Sequence, residues 1–494
     1  MDALSHMPLE TMPVPALLDR AVGAFGDRPA MSFQGRRWTY SQLGNLVDRA
    51  AAGLQRLGVR KGDRVGLCLP NTPYFAMFYY AALKAGAVVV NYNPLYVARE
   101  LRGQIADSGT TTMIVPDLAA IYPKVAGLLP DSGLQRLIVC PFAGVLPAVK
   151  GIAFRLVKRR MVVHPVYKDT VIPFSRVVTP SVRPTPVPID PSDLAVLQYT
   201  GGTTGQPKGA MLSHGNLTVN AQQVLHHMPS MQPGDERLMG VLPFFHVFAM
   251  TSVLNCGVLI GGEIILHPRF EIGAVMRSLV RDKPTIFHAV PTIYNAIASE
   301  VEKRKIAIPT LRACISGGAP LPAEIRERFQ KLTGCRVIEG YGLTEASPVV
   351  ACNPPDGEVR PGSVGVPMQD TQVEIRGLDD LSRILPAGER GEICVRGPQV
   401  MQGYLNRPHE TDAVFVDGAL RTGDAGHLDQ DGYLFVTDRL KDLIICSGYN
   451  VYPRVIEDAL YEHPAVAEAI VIGISDSYRG QAPLAFVTLR SGQT

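Results

Sequence analysis

Between residue 64 and about residue 340 the chain alternates short, strand-length apolar runs with helix-length apolar stretches, and that alternation limits the fold more than any other feature. The runs lie at 64–69, 87–91, 111–115, 137–140, 194–199, 238–242, 263–266, 285–289, 313–316 and 337–339. Segments such as 73–85, apolar at helical spacing, fall between several of them. A chain patterned this way is expected to layer helices against largely parallel sheets, an α/β architecture. From about residue 362 the texture changes. Runs at 371–375, 392–395 and 433–437 are separated by Gly, Asp and Pro turns, which predicts a small antiparallel β-barrel or sandwich. A charged junction follows at 438–441, and then a last α+β piece to residue 494. One hydrophobic core stops growing at roughly 250–300 residues. The expected division is therefore a large domain over 1–438, with the barrel at about 362–438, and a small domain over 439–494.

Composition excludes several classes. A formal net charge of +3 over 494 residues gives no electrostatic reason to expect nucleic acid. The eight cysteines form no CxxC pair and no zinc-ligand spacing, so they read as reduced core thiols of a cytoplasmic protein. No apolar run approaches the ~20 residues of a membrane span, and no basic-then-apolar signal pattern opens the sequence. The segment 145–161 stands apart. Val149, Ile152, Leu156 and Val157 are spaced toward one face, and Lys150, Arg155, Lys158, Arg159 and Arg160 supply charge. Such a stretch reads either as an ordinary helix with a solvated basic face or as one that lies on the anionic inner face of a membrane.

The segment 199–209, YTGGTTGQPKG, follows an apolar strand. Glycines let backbone N–H groups approach phosphate oxygens. Thr200, Thr203 and Thr204 add hydroxyl donors, Gly201, Gly202 and Gly205 open the backbone, and Lys208 adds a cation. It is not a Walker A loop, because Lys208 lies between Pro207 and Gly209 rather than before Ser or Thr. A different phosphate chemistry is required.

With its companions, this loop resembles the phosphate signature of the adenylate-forming superfamily, which comprises acyl-CoA synthetases, amino-acid adenylation domains and beetle luciferases. The companions follow in the family's order: SGGAP at 316–320, EGYGLTE at 339–345, RTGD at 421–424, DRLKD at 438–442 and SGYNVYP at 447–453. The resemblance covers nearly the whole chain. It implies ATP, Mg²⁺ and CoA as cofactor or co-substrates, and a small domain that swings about Lys441 between adenylation and thiol transfer.

The implied roles follow the motifs. Lys208 and the loop residues Thr200 to Gly205 face the pyrophosphate end of ATP, where charge builds. Glu345, a hard oxygen ligand helped by Thr200, suits Mg²⁺. Gly317, Gly318, Ala319, Glu339, Gly340, Tyr341 and Gly342 line the nucleotide, with the Tyr341 ring against the purine. Thr344 meets the α-phosphate, Asp424 the ribose hydroxyls, and Arg439 and Lys441 the nucleotide from the hinge. Gly448 and Tyr449 border a channel for the pantetheine arm.

The acid is read from softer features. PFFHVF at 243–248 resembles the motif whose histidine, here His246, lies near the reacting carboxylate. Phe245, His246, Val247, Gly318, Gly340 and Pro348 are the expected acyl pocket, and an apolar helix is expected over 246–260. The runs 339–355 and 397–404 (GPQVMQGY) look most like those of bacterial long-chain fatty acid–CoA ligases. A medium-chain or aryl-acid CoA ligase, a carrier-loading fatty-acyl-AMP ligase, a luciferase-like oxygenase and a non-enzymatic acyl-AMP binder share some or all of these motifs. A homodimer is left open. One departure is plain: the family's second catalytic lysine, in a Pro…Gly-Lys context, has no counterpart after Tyr452. The expectation is that ATP binding persists, adenylation by this chain is impaired, and the last piece is poorly buried.

Overall fold

The computed structural model describes residues 8–179, 182–200, 207–446, 449–461, 463–476 and 480–490. The chain forms two compact units: Met1–Gly357 together with Pro398–Thr411, and Glu358–Gly397 together with Asp412–Thr494.

The first unit contains two sheets of the predicted kind. In one, the strand order is Val171–Pro173, Arg136–Cys140, Thr112–Pro116, Arg64–Leu67, Val88–Asn91, Leu194–Thr200 and Lys208–Ser213. All neighbours are parallel except the last pair, an antiparallel hairpin that sets Thr200 opposite Lys208. Both faces are covered, which is why these strands read as continuous apolar runs rather than alternating ones. Val65, Val90, Met113, Val139 and Leu197 are all fully buried. The helix Pro73–Lys84, one of the predicted segments, is buried on every side down to Leu83.

The other sheet runs Val349–Cys352, Val337–Gly342, Ala313–Ser316, Ile286–Ala289, Arg237–Gly240, Glu263–Leu266, Pro29–Phe33 and Arg36–Thr39. Its central strands are parallel, so the turns after 240, 289, 316 and 342 all leave from one carboxyl edge. Ligands of α/β sheets bind outside that edge.

The predicted apolar helix 246–260 forms, but its middle is a π-helical turn over Met250–Asn255 between α-helical turns Val247–Ala249 and Cys256–Leu259. Side-chain bonds hold the wider turn: Thr251 Oγ1 donates to the Ser347 carbonyl at 2.7 Å, and Asn255 is caught between the hydroxyls of Tyr79 and Tyr80. π-Turns occur disproportionately at functional sites.

The second unit holds a five-stranded antiparallel sheet, Gln372–Arg376, Gly391–Arg396, Ala419–Leu428, Phe415–Val416 and Leu434–Arg439, where the sequence predicts a barrel or sandwich. Among the described residues its pairings branch at Ala419–Leu428 and do not close a ring. A four-stranded sheet and the helix Pro453–Tyr461 follow. The sequence reading groups the antiparallel strands with the large domain. In the structure they share a unit with the last piece, and Arg454 N–H donates to Asp438 across the junction at 2.9 Å. That last piece is poorly buried as expected: Ile470, Ile472, Phe486 and Leu489 are all exposed.

Candidate active site

Three glycines of the first unit are dictated by close approach. A Cβ on Gly209 would lie 3.1 Å from the Tyr199 ring, one on Gly317 3.1 Å from the Phe248 ring, and one on Gly342 2.1 Å from the Pro348 carbonyl oxygen. Each holds a turn or strand end tight against its neighbour. Gly318 adds a left-handed backbone (φ +79°) that glycine alone adopts without strain.

At the carboxyl edge of the second sheet, the Glu339 side chain accepts from Leu321 N–H at 3.0 Å and fixes the loop after Ser316. Gly340 and Gly317 lie side by side, with Phe248 over Gly317 and His288 edge-on to Phe248 at 5.9 Å. His246 stays solvent-accessible, its ring 4.7 Å from that of Phe245 and tilted against it, and partial desolvation lowers its pKa. Phe245 O accepts from Gln198 Nε2 at 2.8 Å, which ties this turn to the strand that leads into the glycine-rich loop. Val247 and Pro348 are buried. Thr344 opens a short 3₁₀ turn, Thr344–Ala346, that presents Glu345.

Glu345 and Lys208 meet through a residue the sequence reading quoted only as part of a motif. Tyr404 O–H donates to Glu345 Oε1 at 2.7 Å, and the Lys208 ammonium stands 5.1 Å from the centre of the same ring. Burial, reinforced by Glu345, pushes the Tyr404 pKa up, so the phenol remains a donor. The segment 398–411 returns to the first unit to deliver this ring. Met401 N–H donates to Glu345 O at 2.8 Å, Met211 N–H to Gly403 O at 2.9 Å and Leu405 N–H to Gly209 O at 2.9 Å. Asp107 accepts from Tyr199 O–H at 2.6 Å and, through its carbonyl, from Asn406 Nδ2 at 3.1 Å. The clasp thus joins strand Lys208–Ser213, the turn carrying Glu345 and the strand before the loop.

In the second unit, Asp424 and Arg439 are cross-strand partners in register, with their charged groups 3.7 Å apart. Arg439 ends its strand and Lys441 is exposed in a 3₁₀ turn, Leu440–Asp442. Tyr449 begins the short strand Tyr449–Val451. Gly201, Gly202, Thr203, Thr204, Gly205 and Gly448 lie outside the described residues.

With the geometry in place, the comparisons decide the family. Residues 18–405 match the model described as AMP-binding enzyme, and residues 455–494 match its C-terminal domain. The chain belongs to the AMP-binding enzyme family. Among AMP-binding enzymes, it is 39% identical to a long-chain-fatty-acid–CoA ligase of Bacillus subtilis, covering 99% of this chain and 88% of the relative. It is 36% identical to a feruloyl-CoA synthase of Amycolatopsis, covering 94% of this chain and 86% of the relative. The crystal structure of a long-chain-fatty-acid–CoA ligase from Archaeoglobus fulgidus superposes with a TM-score of 0.76 at 28% identity, covering 98% and 92% of the two chains.

Sequence reasoning missed Tyr404, Phe248 and His288 as site residues. Tyr404 carried a local signal, an aromatic directly after Gly403. His288 carried none, because a histidine inside a buried strand looks like core until its neighbours are known.

Proposed function

We propose that this protein activates a fatty acid with ATP to an acyl-adenylate, expelling pyrophosphate, and transfers the acyl group to the sulfur of CoA, releasing AMP. The observation that carries the reading is the pair Lys208 and Glu345, opposite charges held on one tyrosine yet in no ion pair with each other or with any other described residue. A cation beside the carboxyl end of strand Leu194–Thr200 and a carboxylate just past the carboxyl end of Val337–Gly342, from two different sheets, suit a polyphosphate and its counter-ion.

Lys208, with Thr200 and the loop residues, neutralises the departing pyrophosphate. Thr344 orients the α-phosphate. Gly317, Gly318, Ala319, Gly340, Tyr341 and Gly342 receive the base, and Asp424 the ribose. Arg439 and Lys441 act from the junction at which the small domain, 439–494, turns against the large one. His246, with Phe245, Val247 and Pro348, receives the carboxyl end of the acid. Gly448 and Tyr449 border the CoA path. The residues fit a magnesium ion: Glu345 Oε2 has no partner among the described residues, and a magnesium site needs only one or two carboxylates beside phosphate oxygens. When bound there, the ion supplies charge neutralisation of the phosphates.

The test is thioester formation by the purified protein with ATP, CoA and acids of graded length, alongside ferulate and benzoate. Preference for palmitate over the aryl acids supports the reading. Equal or better rates with ferulate favour the aryl-acid alternative, which the similarity to a feruloyl-CoA synthase keeps open.

The same reading includes contact with an anionic membrane through 145–161. The helix Ala148–Val157 packs inward by Gly151 and Phe154, and a Cβ on Gly151 would meet Ala143 O at 2.9 Å. Its apolar residues Val149, Ile152, Leu156 and Val157 point outward, between 61% and 80% exposed. No acidic residue occurs from 145 to 168. Apolar anchors ringed by cations suit an anionic bilayer surface. No described helix is long and apolar enough to cross a membrane.

A further inference from the structure

The contacts of Tyr404 have a consequence for how two opposite charges stay separate. Lys208 and Glu345 are each only half-buried, and a single buried ring touches both. Left to themselves, a flexible ammonium and a carboxylate that both reach one ring would tend to pair and cancel. Among the described residues no cation lies within ion-pair reach of Glu345 and no carboxylate within reach of Lys208. The same ring engages each of them. Its O–H occupies Oε1 of Glu345 and leaves Oε2 open, and its face offers the ammonium a platform that is attractive without being neutralising. The ring is itself pinned. Ala210 bridges to the backbone of Tyr404, Tyr404 N–H donates to Thr411 Oγ1 at 2.9 Å, and Gly403 adopts φ +137° beneath Thr411, where a Cβ would come within 2.6 Å.

We infer that Tyr404 is a positioning residue that keeps Lys208 and Glu345 from pairing, so that the first remains available to phosphate and the second to a divalent cation. This rests on the adenylation reading above but is separable from it, because it assigns the two halves of one side chain to two different ligands. The hydroxyl serves the carboxylate. The ring serves the lysine.

The experiment is calorimetric titration of the full chain with α,β-methylene-ATP, a non-cleavable probe, with and without Mg²⁺, for wild type, Tyr404→Phe and Tyr404→Leu. Thermal midpoints are recorded for all three. The phenylalanine variant keeps the ring and should bind the metal-free analogue within about twofold of wild type. It should lose roughly tenfold of the affinity gained on adding Mg²⁺, the size of a hydrogen bond to a charged group. The leucine variant loses both halves, so its metal-free affinity should fall as well, by about three- to tenfold. An unchanged Mg²⁺ gain in Tyr404→Phe overturns the inference. So does an equal loss in both variants, with or without magnesium, that tracks a fall in thermal midpoint, because that is the pattern of simple packing. Failure of the wild type to bind the analogue at all is a different result: it sinks the adenylation reading underneath.

Discussion

Two regions of the molecule treat charge in opposite ways. In the antiparallel sheet of the second unit, charges are buried and mutually satisfied. Arg376 is 2% exposed and bonds Glu374 at 2.7 Å and Asp417 at 2.8 Å, Arg396 takes the other Glu374 oxygen at 2.7 Å, and Arg421 bonds Glu392 at 2.9 Å. Around Tyr404 in the first unit, Lys208 and Glu345 are close to one ring and paired with nothing described. A network that satisfies every charge holds a sheet in register and has nothing left for a ligand. Charges held apart add little to stability and keep their full interaction for phosphate and metal.

Breaking the satisfied side should cost the most stability. Arg376→Met leaves buried Glu374 with one arginine, and removing one partner of a buried pair typically costs about 3–5 kcal/mol. A urea midpoint unchanged from wild type would show that Arg396 alone suffices. On the unsatisfied side the effect should move from stability to chemistry. Glu345→Gln is expected to lower kcat/KM for thioester formation by about 10²- to 10³-fold, with a thermal midpoint close to wild type. A large fall in the midpoint with only a modest loss of rate would place Glu345 with the structural charges instead.

A smaller effect per residue comes from groups that the first unit hides uncharged. Burial holds His214, His267 and His288 neutral, with pKa values lowered to about 4. The unfolded chain takes up protons near 6.5, so below that pH it binds more protons than the native state, and stability falls as pH drops toward 4. Above 6.5 the contribution is fully present. Each histidine should cost about 1–2 kcal/mol at pH 5. Denaturation midpoints at pH 7.5 and 5.0 test this, and equal values would mean that these imidazoles are accessible to protons in the native state.

The smallest expected change in stability is at the exposed helix. Ile152→Glu with Leu156→Glu should shift stability by under about 0.5 kcal/mol, since neither side chain is packed. Sedimentation with phosphatidylglycerol vesicles should nevertheless be lost, while phosphatidylcholine vesicles bind neither form. Undiminished binding by the double variant would remove the helix from any membrane role.

Much of this was legible in the chain itself. Apolar runs of strand length with helices between them fixed the α/β layering, because a strand buried on both faces has no polar side to show. The residue types of 199–209 pointed to a candidate phosphate loop, and the placement of Lys208 separated it from Walker A. Glu345, Asp424, Arg439 and Lys441 were singled out as candidates by motif. What tertiary structure alone decided was partnership. Nothing in the spacing of Gly403 and Tyr404 says that residues 398–411 come back across the chain to set one ring against both Lys208, 196 residues earlier (404 − 208), and Glu345, 59 residues earlier. Nor does helical spacing say which face of 148–157 turns outward: periodicity gives a face, and only packing through Gly151 and Phe154 chooses its direction. The same holds for His288, an ordinary core residue by sequence, whose neighbour Phe248 comes from the helical turn Val247–Ala249. Local pattern is set by short-range sterics and hydrophobic period, whereas these contacts are made by elements whose meeting depends on the whole fold.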